Sequence, residues 1–331
     1  MGNETKYIFS NGKLFRKDNN LYFQPIGKEK ISLKIEVIRD IYIFGEVNFN
    51  TKLLIFLGQV GIALHIFNYY GFYTGTYYPR ESKVSGKLLV NQVLNYEDNN
   101  KRIEIAKEFI NSAVHNIHRN LVYYKNRERD LENEIIKIDN LRNEIENCKT
   151  IQELMGIEGN IRERYYSSFN KIINQEIDFE KRVKRPPDNM INTMISFTNT
   201  LVYTACLSEI YKTQLNPTIS YLHEPGTRRF SLSLDIAEIF KPIIADRIIF
   251  SMLNKNQITE KDFIKESNYY YMKDKAKMRI VQEFDKVMQN TIKHKELKRN
   301  VSYRYLMRLE GYKLIKHLME DEKYIGFKMW W

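Results

Sequence analysis

The sequence is poor in cysteine, with only Cys148 and Cys206 among 331 residues. Neither belongs to a CxxC pair or lies near a histidine at zinc-finger spacing, so neither a disulfide scaffold nor a structural zinc site is indicated. The sequence also lacks a signal-peptide core and any run of 18 uncharged apolar residues. These absences predict a soluble protein of the reducing cytoplasm, with no membrane segment.

Several catalytic motifs are also missing. There is no GxxxxGK[ST] loop for nucleotide phosphates, no GxGxxG after a strand, no GxSxG elbow and no HExxH. The sequence therefore gives no sign of a P-loop nucleotidase, a dinucleotide-binding enzyme, a serine hydrolase of the α/β type or a zinc peptidase.

Basic residues are plentiful. The chain has 52 Lys and Arg against 41 Asp and Glu, a net charge of +11 and a pI near 9.3. Such a balance favours an anionic partner, because phosphate backbones bind Lys and Arg with release of counterions. The excess is spread along the chain and does not locate a site. With 43% apolar residues over this length, we expect two folded domains.

The first 80 residues differ in pattern from the rest. Short runs of Tyr, Phe, Ile and Val are broken by Asn-Gly at 11–12 and Asp-Asn-Asn at 18–20, as in β-hairpins. The expected elements are one helix near Thr51–Gln59 and the strands Lys6–Ser10, Lys13–Arg16, Leu21–Gln24, Asp40–Phe44, Ala63–Phe67 and Phe72–Tyr77. The predicted fold class is α+β: an N-terminal all-β domain over 1–80, a linker and helix start over 81–92, and a larger all-α catalytic domain over 93–331.

Helical periodicity governs the second part of the chain. Apolar residues at steps of three and four predict a long amphipathic helix, with its buried face made by Ile103, Ala106, Ile110, Ala113, Val114, Ile117 and Leu121. Thr150 and Glu153 have the spacing of a capping box, so another helix begins there and carries Glu158. The clearest loops are Lys184–Asp188 and Leu215–Phe230, where prolines interrupt any helix.

One stretch, residues 221–246, points to chemistry. It places His223 in a loop just before a helix that carries Asp235 and Glu238, and Glu158 supplies a further acid upstream. Carboxylates and an imidazole suit a Mn²⁺ or Mg²⁺ ion, and a cation so held stabilises charge on a phosphate under attack. The pattern indicates metal-dependent nucleic-acid chemistry.

Three of these four residues also have a simpler explanation. Glu158 could be a solvated helix-surface acid, although its position between Gly156 and Gly159 suggests that something must approach closely there. A lone loop histidine such as His223 is often only a hydrogen-bonding residue. Asp235 could cap its helix instead of acting in a site.

Basic side chains near these positions could contact DNA phosphates. Each one taken alone is also explained as a solvated surface charge. The candidates are Arg162, Lys184, Arg185, Arg228, Arg229, Lys241 and Arg247.

Segments along nearly the whole chain resemble a known family: IYIFSNGKLFRKDNNLYF at 7–24, IYIFGEVNFN at 41–50, GIALHIFNYYGFYTGTYYPRE at 61–81, MGIEGNIRERYY at 155–166, RPPDNMINTMISF at 185–197 and the LHEP to ADR segment. This family is the adaptation integrase of CRISPR systems, a metal-dependent DNA endonuclease that is first in the series of CRISPR-associated proteins. The ending FKMWW is similar to that of the subtype I-B branch.

The resemblance implies a β domain followed by a helical domain, and a homodimer joined largely through the β domains. It also implies a catalytic set of Glu158, His223, Glu238 and Asp235, in which Glu158, His223 and Glu238 are the metal ligands. Many relatives have Asp where this chain has Glu238. Whether Asp235 or Glu238 makes the inner-shell contact therefore stays open, with Glu238 favoured.

The implied function is integration of short foreign DNA fragments into a CRISPR array, by attack of a fragment's 3′-hydroxyl on a phosphodiester. The implied partners are double-stranded DNA, both fragment and repeat, and the small second CRISPR-associated protein as a bridging dimer. The implied cofactor is Mn²⁺ or Mg²⁺, and the single imidazole favours Mn²⁺. Two alternatives remain: a non-catalytic DNA-binding scaffold, and an iron enzyme, which would usually have two histidines and one carboxylate.

Overall fold

The computed structural model describes residues 4–80, 83–177, 179–184, 186–226, 230–266 and 269–330. The chain divides into two compact units. The first comprises Met1–Ser82 and Lys273–Asp285, and the second comprises Lys83–Met272 and Lys286–Trp331. The segment 273–285 therefore groups with the N-terminal residues, a relationship that chain order does not reveal.

The first unit contains two four-stranded sheets and a helix, α1. Its elements are β1 (Glu4–Ile8), β2 (Gly12–Lys17), β3 (Asn20–Pro25), β4 (Ile31–Leu33), β5 (Ile38–Ile43), β6 (Val47–Asn48), α1 (Thr51–Val60), β7 (Ala63–Phe67) and β8 (Tyr73–Tyr77). One sheet has the order β1-β5-β7-β8 and the other the order β4-β3-β2-β6. Residues of both sheets and of α1, among them Leu14, Ile41 and Leu57, share one apolar core.

The sequence predicts most of this unit. Each of the six predicted strands overlaps an observed one, and α1 begins at Thr51 as expected, because the Asn50 side chain accepts a hydrogen bond from the Leu53 amide. The hairpin expectation is right for β2–β3, whereas β1, β5 and β7 pair in parallel. The sequence misses β4 and β6, which are too short to show alternation.

The second unit is mainly helical. Its helices are α2 (Gly86–Glu97), α3 (Asn99–Lys125), α4 (Glu132–Glu144), α5 (Ile151–Ser167), α6 (Phe169–Ile172), α7 (Met190–Tyr211), α8 (Ser231–Phe240), α9 (Arg247–Asn254) and α11 (Tyr303–Leu318). Two antiparallel ribbons also occur in it, β9 (Phe263–Glu266) with β10 (Tyr269–Met272), and β11 (Thr291–Lys293) with β12 (Asn300–Ser302). Helix α10 (Asp274–Gln289) follows β10, and its part up to Asp285 belongs to the first unit. The predicted fold class is confirmed, with the two ribbons as an addition to the helical part.

Helix α3 lies at the centre of the second unit. It packs against α2, α4, α5 and α8. All seven apolar residues predicted for its inner face are buried. Its length of 27 residues lets one helix support several parts of the site described below.

Helices α8 and α9 are continuous in the chain and are joined by an irregular helical turn. A π-helical turn, Pro242–Asp246, joins them, and the Asp246 amide donates to the Lys241 carbonyl five residues back, at 3.1 Å. Pro242 has no N–H, so the Glu238 carbonyl loses its ordinary helical donor. Such widened turns occur frequently at functional sites.

Two expectations from the sequence concern what the chain lacks. Cys148 and Cys206 are both free and buried. Among the described residues, the helices are too short or too polar for any of them to span a bilayer.

Candidate active site

Three elements of the second unit carry the predicted ligands. Helix α5 carries Glu158, the loop before α8 carries His223, and α8 carries Glu238. The start of α5 is fixed by the predicted capping box, in which the Glu153 amide donates to Thr150 Oγ1 and the Thr150 amide donates to Glu153 Oε2, both at 3.2 Å. This places Glu158 two turns inside a well-anchored helix, with 19% of its side chain exposed.

Arg162 connects the two glutamates. Its Nε donates to Glu158 Oε1 at 3.0 Å, and its Nη2 donates to Glu238 Oε2 at 2.5 Å. The other oxygen of Glu238, Oε1, accepts from Lys241 Nζ. Burial opposes ionisation of Glu238, but the charges of Lys241, Arg162 and His223 prevail and hold its pKa well below the usual range. Both oxygens of a buried, ionised carboxylate are thus held by side-chain cations.

Asp235 has a different role from Glu238. Its Oδ2 accepts from the amides of Tyr221 at 2.7 Å and Leu222 at 3.0 Å, and its Oδ1 accepts from the His223 amide at 3.0 Å and from His223 Nδ1 at 2.8 Å. The residue is fully buried. Asp235 lies inside α8 and does not cap it, because the helix begins at Ser231. Four hydrogen bonds to one carboxylate fix the conformation of the loop at 221–223.

The same contacts define the state of His223. A carboxylate can only accept, so the bond to Asp235 requires the proton on Nδ1 and leaves Nε2 as the free lone pair of the neutral ring. Burial disfavours the charged ring, but the hydrogen bond and charge of Asp235, with the charge of Glu238, raise the pKa of His223. The side chain is 21% exposed. A carboxylate–histidine pair of this kind orients the second nitrogen for a metal ion.

A second set of contacts holds the loop from the side of α2, which carries Tyr96, and of α3, which carries Arg102. Arg102 Nε donates to the Tyr221 carbonyl at 2.9 Å, and its Nη2 donates to Glu224 Oε1 at 2.6 Å. Tyr96 donates to the other Glu224 oxygen at 2.9 Å. His223 is therefore flanked on both sides by anchored residues.

A buried polar network lies beneath the ion pairs, at the π-helical turn. Asn120 of α3 donates to the Pro242 carbonyl at 2.7 Å and to the Tyr165 hydroxyl at 3.1 Å, and its Oδ1 accepts from Arg247 Nε at 2.8 Å. Burial raises the pKa of Asp246 to about 6, although the positive charge of Arg162 acts to lower it. Its Oδ2 has no hydrogen-bond partner among the described residues.

The predicted DNA-contacting residues fall into three groups. Arg162 is buried and Lys241 is half-buried, and both hold Glu238. Arg247 is half-buried against Asn120, and Lys184 is exposed. The remaining three lie outside the described residues: Arg185, Arg228 and Arg229.

As they stand, the described residues contain no group of three His, Cys, Asp or Glu side chains close enough to hold an ion. Glu158 and Glu238 share Arg162 as a partner, and the charges of Glu238 and His223 influence each other. The donor chemistry nevertheless fits a divalent cation: Glu238 is ionised, Glu158 adds a second carboxylate, and His223 has a free Nε2.

Sequence reasoning missed the supporting residues. Arg162 and Lys241 were predicted to contact DNA, yet their spacing of four and three residues from Glu158 and Glu238 also fits helical ion pairs. Asn116 and Asn120 are polar residues on the buried face of α3, which is the signal that could have identified them.

The fold and site define a class of protein: a β-rich N-terminal unit joined in sequence to a helical unit with a buried carboxylate–histidine site. Residues 6–286 match the family model described as CRISPR associated protein Cas1, and the chain belongs to this family. The CRISPR-associated endonuclease Cas1 of Fusobacterium nucleatum is 57% identical over 98% of this chain and 96% of that protein. The family prediction from the sequence is confirmed.

Solved structures agree with this assignment. A CAS1 protein from Thermotoga maritima has a TM-score of 0.88 and 39% identity, and the match covers 98% of this chain and 100% of that one. A casposase bound to an integration product has a TM-score of 0.85 over 98% of this chain and 93% of that chain. Because the casposase is only 23% identical, this match supports the fold alone.

Proposed function

We propose that this protein is a divalent-metal-dependent DNA integrase and endonuclease that joins short foreign DNA fragments to a CRISPR array. The observation that carries the proposal is the hydrogen bond from His223 Nδ1 to Asp235, which leaves Nε2 free on a ring that also feels the charge of the ionised Glu238. Membership of the Cas1 family supports it, because curated relatives are named CRISPR-associated endonucleases.

In this proposal Glu158, His223 and Glu238 hold the ion, Mn²⁺ or Mg²⁺. When bound, the ion would supply Lewis-acid stabilisation of charge at the phosphodiester under attack. Asp235 keeps the His223 proton on Nδ1 and fixes the loop. Arg162 and Lys241 neutralise Glu238 in the metal-free protein.

Several features support a DNA substrate. A Cβ at Gly156 or Gly159 would meet none of the described atoms within 4 Å, so the helix backbone beside Glu158 is open to a close approach. Lys184 is exposed and Arg247 half-buried, and both add positive charge. Lys241 and Arg162 belong to the proposed DNA-contacting set only once a bound ion has released them from Glu238. We further propose that the protein forms a homodimer through its first unit, and that a dimer of the small second CRISPR-associated protein bridges two such homodimers. The complex would act in the cytoplasm.

The second candidate is a non-catalytic DNA-binding scaffold. The observation that favours it is the neutralisation of Glu238 by Arg162 and Lys241 without any ion. In a scaffold these ion pairs would be permanent, and no metal-dependent product would form.

The test is strand transfer of a short duplex with free 3′-hydroxyls into supercoiled plasmid, with Mn²⁺, Mg²⁺ or EDTA, with and without the small partner. We expect metal-dependent product from the wild type and none from His223→Ala. The control is His118→Ala, since His118 has its own carboxylate partner, Asp139, at 3.4 Å on the surface. Failure of the wild type to form product, with DNA binding intact, would favour the scaffold.

A further inference from the structure

The C-terminal segment, residues 324–330, lies against α3 beyond the 6–286 range that matches the family model. Tyr324 and Met329 are buried, and the Tyr324 hydroxyl donates to Glu310 Oε2 at 2.9 Å. A Cβ at Gly326 would lie 2.2 Å from Ser112 Oγ, so the segment approaches α3 too closely there for any other residue without a shift. The segment is thus a tightly fitted part of the second unit.

We propose that this segment positions the catalytic helix α8, and that Asn116 of α3 is the residue that connects the two. The inference rests on the proposed function, because it concerns the helix that carries Glu238. Asn116 is fully buried and is a positioning residue: it acts through α8 and touches no reacting group.

The amide of Asn116 is shared between helix and segment. Its Nδ2 donates to the Ile239 carbonyl at 2.9 Å and to the Phe327 carbonyl at 3.3 Å, and its Oδ1 accepts from the Met329 amide at 2.8 Å. Both N–H groups and the oxygen are therefore used. Ile239 directly follows Glu238, so the bond fixes the backbone next to the proposed ligand.

A second contact reaches the same turn of α8. The ring of Phe327 stacks on Phe240, with centroids 6.0 Å apart and planes 12° from parallel. Glu238 and Lys241 are three residues apart and share the face that forms the ion pairs, whereas Ile239 and Phe240 lie on other faces of the helix. The segment therefore packs on the face of α8 opposite to the one that carries Glu238 and Lys241.

The helix needs support at this point for a chemical reason. Pro242 cannot donate a hydrogen bond to the Glu238 carbonyl, and the following turn is π-helical. Asn116 at Ile239 and Asn120 at Pro242 are one helical turn apart on α3, and both donate to carbonyls around the irregular turn. External donors thus supplement the helical hydrogen bonding where it is weakest.

The experiment compares Asn116→Leu with His115→Gln. His115 is a matched control, because its Nε2 bonds the Met329 carbonyl of the same segment at 2.8 Å, rather than α8. We expect Asn116→Leu to lower kcat for strand transfer by about tenfold to hundredfold with an unchanged KM for DNA, since small displacements of reacting groups have effects of this size. His115→Gln should keep a kcat close to wild type, because the contacts of Asn116 and Phe327 with α8 remain in it, although both variants lose thermal stability.

Hydrogen exchange in EDTA gives a readout independent of activity. Asn116→Leu should speed exchange of amides between 239 and 247, whereas His115→Gln should affect only the C-terminal segment. If Asn116→Leu does not fold, Phe327→Leu replaces it, with a lowered kcat and an unchanged KM expected. Equal effects of Asn116→Leu and His115→Gln on kcat and on exchange, or a wild-type kcat for Phe327→Leu, would overturn the inference. An inactive wild type would refute the proposed function instead, and the exchange data would still decide this inference.

Discussion

Replacing Asp235 by Asn tests whether this residue anchors the His223 loop. Asn has the same shape, but one carboxylate oxygen becomes an NH₂ group that cannot accept. If that group replaces Oδ2, it faces the amides of Tyr221 and Leu222. If it replaces Oδ1, it faces the amide and Nδ1 of His223.

The structure gives the size of the effect. In the first orientation two buried donors lose their acceptor, at about 1–3 kcal/mol each, so the free energy of unfolding should fall by about 2–6 kcal/mol. In the second, His223 can move its proton to Nε2, which leaves one amide unpaired and removes the lone pair that a metal ion would use. Activity should fall about tenfold to hundredfold in either orientation, as for other residues that orient a metal-binding histidine.

Urea denaturation and strand transfer, measured on the same preparation, form the assay for Asp235→Asn. The control is Asp139→Asn, which alters a half-exposed carboxylate paired with His118 and should change stability by about 0.5 kcal/mol or less. Loss of activity with wild-type stability would refute the anchoring argument and make Asp235 a direct ligand. If Asp235→Asn had both the stability and the activity of the wild type, Asp235 would have no part in the site.

Three further predictions concern helix α5. Thr150→Ala should lower the free energy of unfolding by about 1 kcal/mol through loss of the cap, as measured in urea, with activity unchanged well below the transition. Arg162→Gln should destabilise the metal-free protein by up to about 3–5 kcal/mol, because Glu158 loses its ion-pair partner and the buried Glu238 keeps only Lys241. Mn²⁺ should raise the melting temperature of this variant more than that of the wild type, and an equal shift would count against the ion site. Gly159→Ala should stabilise the protein by up to about 1 kcal/mol yet weaken DNA binding in a fluorescence-anisotropy titration; unweakened binding would show that DNA does not approach there.

Local patterns explain what the sequence predicts well. The strands of the first unit and the inner face of α3 follow from alternation and from helical periodicity, which depend only on neighbouring residues. The capping box of α5 is equally local, since Thr150 and Glu153 meet within one turn. The ribbon β11–β12 shows no alternation because each of its strands has only 3 residues. The grouping of 273–285 with the first unit depends on contacts between distant residues, and no local pattern reveals it.

The sequence could not decide whether Asp235 or Glu238 is the proposed metal ligand. Three residues apart on α8, they share a face, so periodicity treats them alike. The difference arises because the loop at 221–223 packs over Asp235, while α5 brings Arg162 to Glu238. Both contacts join residues far apart in the chain.

The partners of the two carboxylates support Glu238 as the exchangeable one. Asp235 is held by three backbone amides and by the ring of His223, and these donors cannot leave without rearrangement of the loop. Glu238 is held by Arg162 and Lys241, whose long side chains can rotate away while both helices stay in place. A cation could therefore replace the partners of Glu238 at the cost of side-chain motion alone, whereas at Asp235 it would have to unfold the segment that orients His223. We accordingly expect bound Mn²⁺ to slow the exchange of the Tyr221 and Leu222 amides with solvent, because Asp235 keeps its bonds to them; faster exchange would mean that the ion had taken Asp235 instead.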